Sequence, residues 1–421
     1  MKNLLNMNNT FIKYNQNKLT IIFIFFLYIS LLIGFIFNEN STGGAYLDYI
    51  THKKISKDFA ENFYTTFFSF DRYSTRHSPI LIIFLSFFEK INLHDAFIRL
   101  INLHICLFLP AIFYLTLKEK FNKINNNYLL LASGTIFLSP TYRSLSVWPD
   151  SRLYGLSIFL ISIYYFLKFL NNKKEINQAI NCTFWSAISA YFSPNFSFFS
   201  IFFFYIFAKN FLFKKEIFIL LILNFILAVP AFIYIFSLEN IFFLKSAIPG
   251  GQENFKDIFN FSNKILLITT IIFFYLIPFI LTRSIKININ KINVILTSLI
   301  ILFVCMNFFN YKTEFTGGGI FFQLSHLLLK NNFLLYLFSF ISLLYLLKIC
   351  ELDKTNLIII IILILSNLQL TIYHKYYDPL IYILILTILK INLNIKKFFN
   401  YKSLFLFYIF NLSFLIINLM K

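Results

Sequence analysis

Residues 19–37 read LTIIFIFFLYISLLIGFIF, and this uncharged run of 19 residues decides the class of the protein. At about 1.5 Å per residue, a helix of this length just crosses the hydrocarbon core of a bilayer. The run follows a polar segment with three lysines and stops before Glu39, without the small-residue pattern of a signal-peptidase site. We therefore predict an uncleaved anchor with the N-terminus in the cytoplasm and residue 39 outside.

The composition of the whole chain indicates a membrane protein as well. Of its 421 residues 58% are hydrophobic and 13% charged, whereas soluble proteins carry about 25% charged residues. This composition excludes soluble globular, disordered and coiled-coil classes, because too little polar surface is available to face water. The net charge of +19 lies in short groups between apolar segments, as in positive-inside topology. No basic residues cluster on one soluble face, so we expect no nucleic-acid partner.

The apolar pattern predicts an all-α polytopic integral membrane protein with about 13 transmembrane helices. The apolar segment at 79–88 is only ten residues long, and we predict a helix at the membrane surface there. A span at that place would put the basic stretch 118–123 outside, against the positive-inside rule. The twelve spans after the first are expected at 97–117, 128–140, 152–170, 177–192, 196–213, 217–237, 263–282, 292–310, 332–349, 356–372, 379–395 and 403–420.

In this topology nearly all acidic residues lie on the outer side. The inner segments hold five of the 18 acids, namely Glu119, Glu175, Glu216, Glu351 and Asp353. The predicted outer loops are 38–96, 141–151, 238–262, 311–331 and 373–378. The spans are almost free of charge, whereas a transporter keeps ionisable groups in mid-span along a central path. The pattern favours an enzyme that acts at the outer membrane interface.

Short motifs follow one another in a fixed order along residues 19–215. They are Gly43-Gly44 before Asp48, then His77-Ser78-Pro79-Ile80 at a distance of 29 positions, Phe97-Ile98-Arg99-Leu100, Ser139-Pro140, and Asp150-Ser151-Arg152-Leu153-Tyr154. This ordered set resembles the GT-C glycosyltransferases. It is most similar to the branch with protein mannosyltransferases, aminoarabinose transferases and the lipopolysaccharide-core sugar transferases of rhizobia.

The resemblance divides the chain into two regions. Residues 1–237 form a GT-C-like catalytic membrane module, whose large first outer loop carries interfacial helices, and 238–421 form a variable C-terminal region. Three features depart from the family pattern: Tyr49 follows the first acid where the family often has Glu, Ser78 replaces a proline, and Pro149 precedes the later acid, Asp150. These departures leave open which sugar is used and whether an acid pair holds a divalent metal.

The resemblance implies a glycosyltransferase that uses a polyprenyl-phosphate sugar and a lipid, glycan or protein acceptor. The enzyme would lie in the cytoplasmic (inner) membrane with its active site on the periplasmic side. The chain has no nucleotide-binding Gly-rich loop after a strand, which agrees with a lipid-linked donor. No cofactor is implied with certainty.

Sugar transfer to a hydroxyl needs a base for the acceptor proton and cations for the leaving phosphate. Asp48 is the base candidate, with three further catalytic candidates, Asp71, His77 and Asp150. The alternative roles are a solvated loop acid, a helix cap for His77, and an ion pair with Arg152 for Asp150. The candidates for binding the donor phosphate are Arg143, Arg152, Lys312, His374 and Lys375, and their alternative role is attraction to anionic lipid headgroups.

Two other functions remain open from the sequence. One is an O-antigen-type polymerase or ligase, which usually has its largest outer loop late in the chain and rich in arginine. The other is a flippase or transporter without chemistry. The largest outer loop of this chain is the first one, and this favours the glycosyltransferase hypothesis.

Overall fold

The computed structural model describes residues 2–73, 75–173, 175–212, 214–238, 260–285, 291–313 and 317–420, with side chains from residue 17 onwards except at 237. About 80% of the structure is helical. The described residues contain no β-strand beyond one isolated bridge between Ile285 and Leu393. The prediction of an all-α fold is confirmed. Most of the predicted outer loop 238–262 lies outside the described residues.

The described part of the first half of the chain contains twelve helices. Short 3₁₀ turns lie between some of them, at Phe70–Tyr73, Thr135–Leu138 and Pro194–Phe198. The helices are α1 (Lys2–Ile36), α2 (Ala45–Glu61), α3 (Phe63–Phe68), α4 (Pro79–Lys90), α5 (Asp95–Cys106), α6 (Phe108–Lys120), α7 (Asn126–Gly134), α8 (Pro140–Val147), α9 (Ser151–Asn171), α10 (Ile176–Phe192), α11 (Phe199–Phe211) and α12 (Lys215–Phe232).

The described part of the second half adds eight helices and a 3₁₀ turn at His374–Tyr376. They are α13 (Phe261–Leu281), α14 (Ile292–Asn307), α15 (Gly319–Leu329), α16 (Phe333–Leu352), α17 (Lys354–Leu365), α18 (Leu380–Leu386), α19 (Ile395–Phe398) and α20 (Tyr401–Leu419). Helix α13 is the central one, since 78% of its most apolar window is buried. Helix α12 is peripheral, with 11% of the corresponding window buried.

Among the described residues, seven helical segments are long and apolar enough to cross a membrane. They are Asn17–Ile36, Asp95–Lys120, Ser151–Asn171, Lys215–Phe236, Phe261–Leu281, Phe333–Leu352 and Tyr401–Leu419. Each coincides with a span that the sequence predicts, and the membrane class is confirmed. The count of 13 spans stays a prediction, because the remaining predicted spans correspond to helices of 17 residues or fewer.

The predicted spans 128–140 and 379–395 differ most from the structure. The first is α7 followed by a 3₁₀ turn, and the second contains only the seven-residue α18, about 10 Å long at 1.5 Å per residue. Tyr382 of α18 donates a hydrogen bond to the carbonyl of Ala132 at 3.0 Å. Broken helices are tolerated at membrane depth only where protein surrounds them, and the packing supplies that environment here.

The segment predicted as a short surface helix is α4, with 12 residues. Ser78 caps its first turn by accepting a hydrogen bond from the amide of Ile80, and Pro79 occupies the first helical position, where its missing N–H costs nothing. Helix α4 packs against α2. The predicted outer loop 38–96 is therefore a folded helical layer in its described residues, and it brings residue 48 close to the start of α9.

The outside location of this loop can be tested by cysteine labelling. Ser56 is fully buried, but Lys57 on α2 and Asn172 after α9 are exposed. We expect Lys57→Cys to react with an impermeant thiol reagent in cells whose outer barrier is opened, and Asn172→Cys to be protected. The partly buried Cys350 should be replaced by serine in both variants. Labelling of position 172 together with protection of position 57 would show that the predicted topology is inverted.

Candidate active site

Asp48 lies at the centre of a charged cluster formed by the start of α2, the start of α9 and the 3₁₀ turn at His374–Tyr376. It occupies the first turn of α2. Its Oδ2 lies 3.2 Å from Nζ of Lys375 and 3.4 Å from Nη2 of Arg152. A Cβ atom at Gly44 would lie 3.2 Å from that Nζ, so the glycine at the start of α2 leaves room for the lysine. Three segments far apart in sequence thus meet at one carboxylate.

Asp150 is the second acid of the cluster and is fully buried. Its Oδ1 accepts a hydrogen bond from the backbone amide of Arg152 at 2.8 Å, which caps α9. Its Oδ2 lies 2.9 Å from Nη2 of the same arginine. Because one guanidinium nitrogen faces both Asp48 and Asp150, Arg152 joins the two acids. The predicted ion pair between Asp150 and Arg152 exists, but it is part of the cluster.

Two histidines complete the cluster. His77 lies just before the N-cap of α4, with Nε2 4.0 Å from Oδ1 of Asp48 and Nδ1 3.4 Å from Oγ of Ser151. His52 on α2 is fully buried, and its ring contacts the ring of His77 edge-on at 4.3 Å between centroids. Nε2 of His52 has no hydrogen-bond partner among the described residues.

Burial and neighbouring charges set the protonation states. Burial raises the pKa of Asp48, but Lys375, His77 and Arg152 outweigh it and hold that pKa below its usual value. Burial also raises the pKa of Asp150, and Arg152 overcomes this and holds it well below the usual range. Burial, with His52 nearby, lowers the pKa of His77 to about 3. Burial and Arg152 lower the pKa of Lys375, while Asp48 and Asp150 oppose that shift. At neutral pH Asp48 and Asp150 are therefore ionised and His77 is neutral.

A small polar cavity of about 40 Å³ lies next to the cluster. Arg76, His77 and Arg152 line it. Nη1 of Arg152 is buried without a hydrogen-bond partner among the described residues, which is costly for a charged group unless a ligand or water meets it. A water molecule needs about 10–15 Å³ by this measure, so the polar cavity can hold a group of several heavy atoms.

An apolar groove of about 540 Å³ lies next to this polar cavity. Its walls come from α4, α10, α11 and α12. Ser78, Pro194 and Leu368 line both spaces, so the two adjoin. The groove volume falls in the usual range of ligand pockets, about 300–1,000 Å³. An amphipathic ligand with a long apolar tail and a small anionic head matches this arrangement.

The cluster also has the geometry of a cation site. Ligand atoms of Asp48, His77 and Asp150 lie within 4.8 Å of one another. However, Arg152 and Lys375 already face these carboxylates at 2.9–3.4 Å and balance their charge. A divalent cation would have to share the carboxylates with two positive side chains, so the electrostatics favour an anion in this region.

Five of the nine predicted site residues come together in the structure, and four lie elsewhere. Those together are Asp48, His77, Asp150, Arg152 and Lys375. Of the others, Asp71 belongs to the 3₁₀ turn after α3, and exposed Lys312 follows Tyr311 in the chain. His374 meets the hydroxyl of Tyr275 at 2.9 Å. None of these three is among the main charges that act on Asp48.

Arg143 is predicted to bind phosphate, but in the structure it forms a buried ion pair. Its Nη2 lies 2.6 Å from Oε2 of Glu39, and its Nε donates to both oxygens of the same carboxylate. Nη1 and Nη2 also donate to Ser30. Both charged side chains are at most 7% exposed. This arginine joins the end of α1 to α8, and its donors are occupied by protein.

Sequence reasoning missed Arg76 and His52. Arg76 lies beside His77 in the motif, and its Nη1 donates to Oε1 of Gln369 at 2.5 Å. The same oxygen accepts a hydrogen bond from the hydroxyl of Tyr376 at 2.6 Å, and the guanidinium of Arg152 lies over the Tyr376 ring at 4.8 Å. The signal for Arg76 was its place next to the motif histidine. His52 carries no motif, and only the packing of α2 brings it to the site.

No protein-family model, curated protein or solved structure matches this chain. The indication of function in this site therefore comes from its own chemistry. That chemistry is a carboxylate held by Arg152 and Lys375, beside a guanidinium nitrogen without a partner among the described residues and a polar cavity that adjoins an apolar groove.

The buried pair under the site has a testable energetic role. Glu39→Ala leaves Arg143 buried without its carboxylate, and we expect this to cost about 3–5 kcal/mol of stability. The loss of stability is measured by thermal unfolding in detergent, with size-exclusion chromatography as the readout. The matched control is Glu351→Ala, which breaks a solvent-exposed contact with Lys348 and Lys291, and it should melt near wild type. Equal melting of the two variants would contradict the role of the buried pair.

Proposed function

We propose that this chain is a membrane glycosyltransferase that moves a sugar from a polyprenyl-phosphate carrier to an acceptor hydroxyl. The acceptor is a lipid, glycan or protein at the outer face of the cytoplasmic membrane. The observation that carries the proposal is that the apolar groove adjoins the polar cavity lined by His77 and Arg152, both of which face Asp48. A lipid-linked phosphate has the same two parts, a long apolar chain and a compact anion.

The cations around the polar cavity suit the leaving phosphate. Arg152 and Lys375 lie within 3.4 Å of Asp48, and Arg76 lines the same cavity as Arg152. Cations stabilise a phosphate as it takes up the electron pair of the breaking sugar–oxygen bond. Charge-assisted hydrogen bonds to phosphate are shorter and stronger than neutral ones, and Nη1 of Arg152 has a donor to offer.

Asp48 suits the role of general base. The acceptor oxygen attacks the anomeric carbon, the bond from that carbon to the phosphate oxygen breaks, and the hydroxyl proton passes to Asp48. A carboxylate can do this only when ionised, and the cations beside Asp48 keep its pKa low. Asp150 is fully buried and engaged by Arg152, so it positions the guanidinium. His77 is neutral and lines the polar cavity, where it can donate a hydrogen bond to a ligand.

A flippase or transporter would use the cations during the passage of an anionic substrate, but it would need no general base. Among the described residues, the charged groups that act on Asp48 come from the loops and helix ends at one face. A path through the bilayer would instead need ionisable groups at several depths of the spans. This distribution favours chemistry at one interface over transport.

Replacing the base gives the first test of the proposal. Asp48→Asn keeps the size of the side chain but cannot accept a proton at neutral pH, so we expect sugar transfer to fall by about 10²–10⁴-fold. The assay measures transfer of a radiolabelled sugar from polyprenyl phosphate by the purified protein. Glu61→Gln is the matched control, because it makes the same charge change at an exposed position on α2. Activity of Asp48→Asn within about threefold of wild type would remove Asp48 as the base.

Replacing the lysine tests the phosphate site separately. Lys375 should hold the phosphate in both the ground state and the transition state, and uniform binding appears mainly as a raised KM. For Lys375→Ala we expect KM for the donor lipid to rise about tenfold or more, with a smaller change in kcat. Lys57→Ala, an exposed lysine on α2, is the control. An unchanged KM would exclude Lys375 from the donor site.

A further inference from the structure

The Asp48 carboxylate contacts the two basic side chains that the proposed donor phosphate would use. Its Oδ2 lies 3.2 Å from Lys375 and 3.4 Å from Arg152. A carboxylate and a phosphate offer similar anionic oxygens to such donors. While these cations face the carboxylate they also lower its basicity, because they hold the pKa of Asp48 below its usual value.

We propose that Asp48 acts as an internal competitor of the donor phosphate, so that donor binding draws Arg152 and Lys375 away from the carboxylate and frees it to serve as the base. This inference rests on the proposed function and adds an order of events to it. The donor phosphate enters first, and only then is the carboxylate released towards the acceptor. The coupling keeps the Asp48 carboxylate in contact with Arg152 and Lys375 until a donor phosphate binds. Until then the carboxylate does not act as the base.

The surroundings of Asp48 support such an exchange. The groups that face it are Lys375 from the 3₁₀ turn, Arg152 and Asp150 from the start of α9, and His77 before α4. The Lys375 side chain is long and its ammonium reaches Asp48 past Gly44, so a small movement transfers it to a new anion. Arg152 keeps its contact with Asp150 at 2.9 Å and can turn its other nitrogens to the polar cavity it lines.

Linkage gives the exchange a measurable consequence. The loss of two cationic partners raises the pKa of Asp48 when phosphate binds, because those charges hold it down in the free site. By reciprocity, removal of the carboxylate charge must strengthen phosphate binding by the same factor. A coupling of one pKa unit corresponds to about tenfold in affinity.

The test measures binding of farnesyl phosphate to the purified protein by isothermal titration calorimetry. For Asp48→Asn we expect the dissociation constant to fall about tenfold, while catalysis is lost. Asp48→Glu keeps the competing charge and should bind near wild type. Inorganic phosphate and farnesol, measured in parallel, separate the contribution of the anion from that of the apolar tail.

A double-mutant cycle distinguishes competition from a general charge effect. If Asp48 competes through Lys375, the gain from Asp48→Asn should shrink in a Lys375→Ala background. Unchanged or weaker binding by Asp48→Asn overturns the inference, as does an equal gain with and without Lys375. A different result overturns the proposed function: neither Lys375→Ala nor Arg152→Ala weakens binding of farnesyl phosphate. A folded sample is established for each variant by its elution profile.

Discussion

The buried ion pair between Glu39 and Arg143 is the constraint on which the arrangement around the charged cluster depends. Two opposite charges taken out of water must stay together, because either one alone is very costly in an apolar interior. Glu39 follows α1 and Arg143 lies in the middle of α8, of which all eight residues are buried. Gly34 lies so close to both side chains that a Cβ atom there would collide with them. The first span is thereby tied to the short buried helix that precedes the site.

The tie continues into the site through polar contacts. The indole nitrogen of Trp148 donates to the carbonyl of Glu39 at 3.0 Å, and the guanidinium of Arg99 stacks on the Trp148 ring at 3.6 Å. Trp148 is followed closely by Asp150, which caps α9 and holds Arg152. Each contact satisfies a buried polar group, as a low-dielectric interior requires. The cluster is therefore built on rigid helix ends, and catalytic or binding groups work best on such supports.

Charge balance within the cluster explains its chemical character. Asp48 and Asp150 are ionised at neutral pH and face the side chains of Arg152 and Lys375, and His77 beside them is neutral because burial disfavours its charged form. Nη1 of Arg152 has no hydrogen-bond partner among the described residues, so the cluster has a donor to offer to an anion. The apolar groove that adjoins the polar cavity suits anions that carry a hydrophobic tail.

The sequence by itself determined the membrane class, the seven long spans and the short helix after Pro79, because hydrophobic length and helix caps act locally. It also pointed to Asp48, His77 and Arg152, which lie in ordered motifs. It could not tell a buried half-helix such as α18 from a span, since both are apolar and only the surrounding protein differs. Tertiary structure alone decided that Arg143 pairs with Glu39 and that Lys375 meets Asp48 across 327 positions. The reason is that charge pairing depends on distance in space, and the motif pattern carries no information about which cation a buried carboxylate will meet.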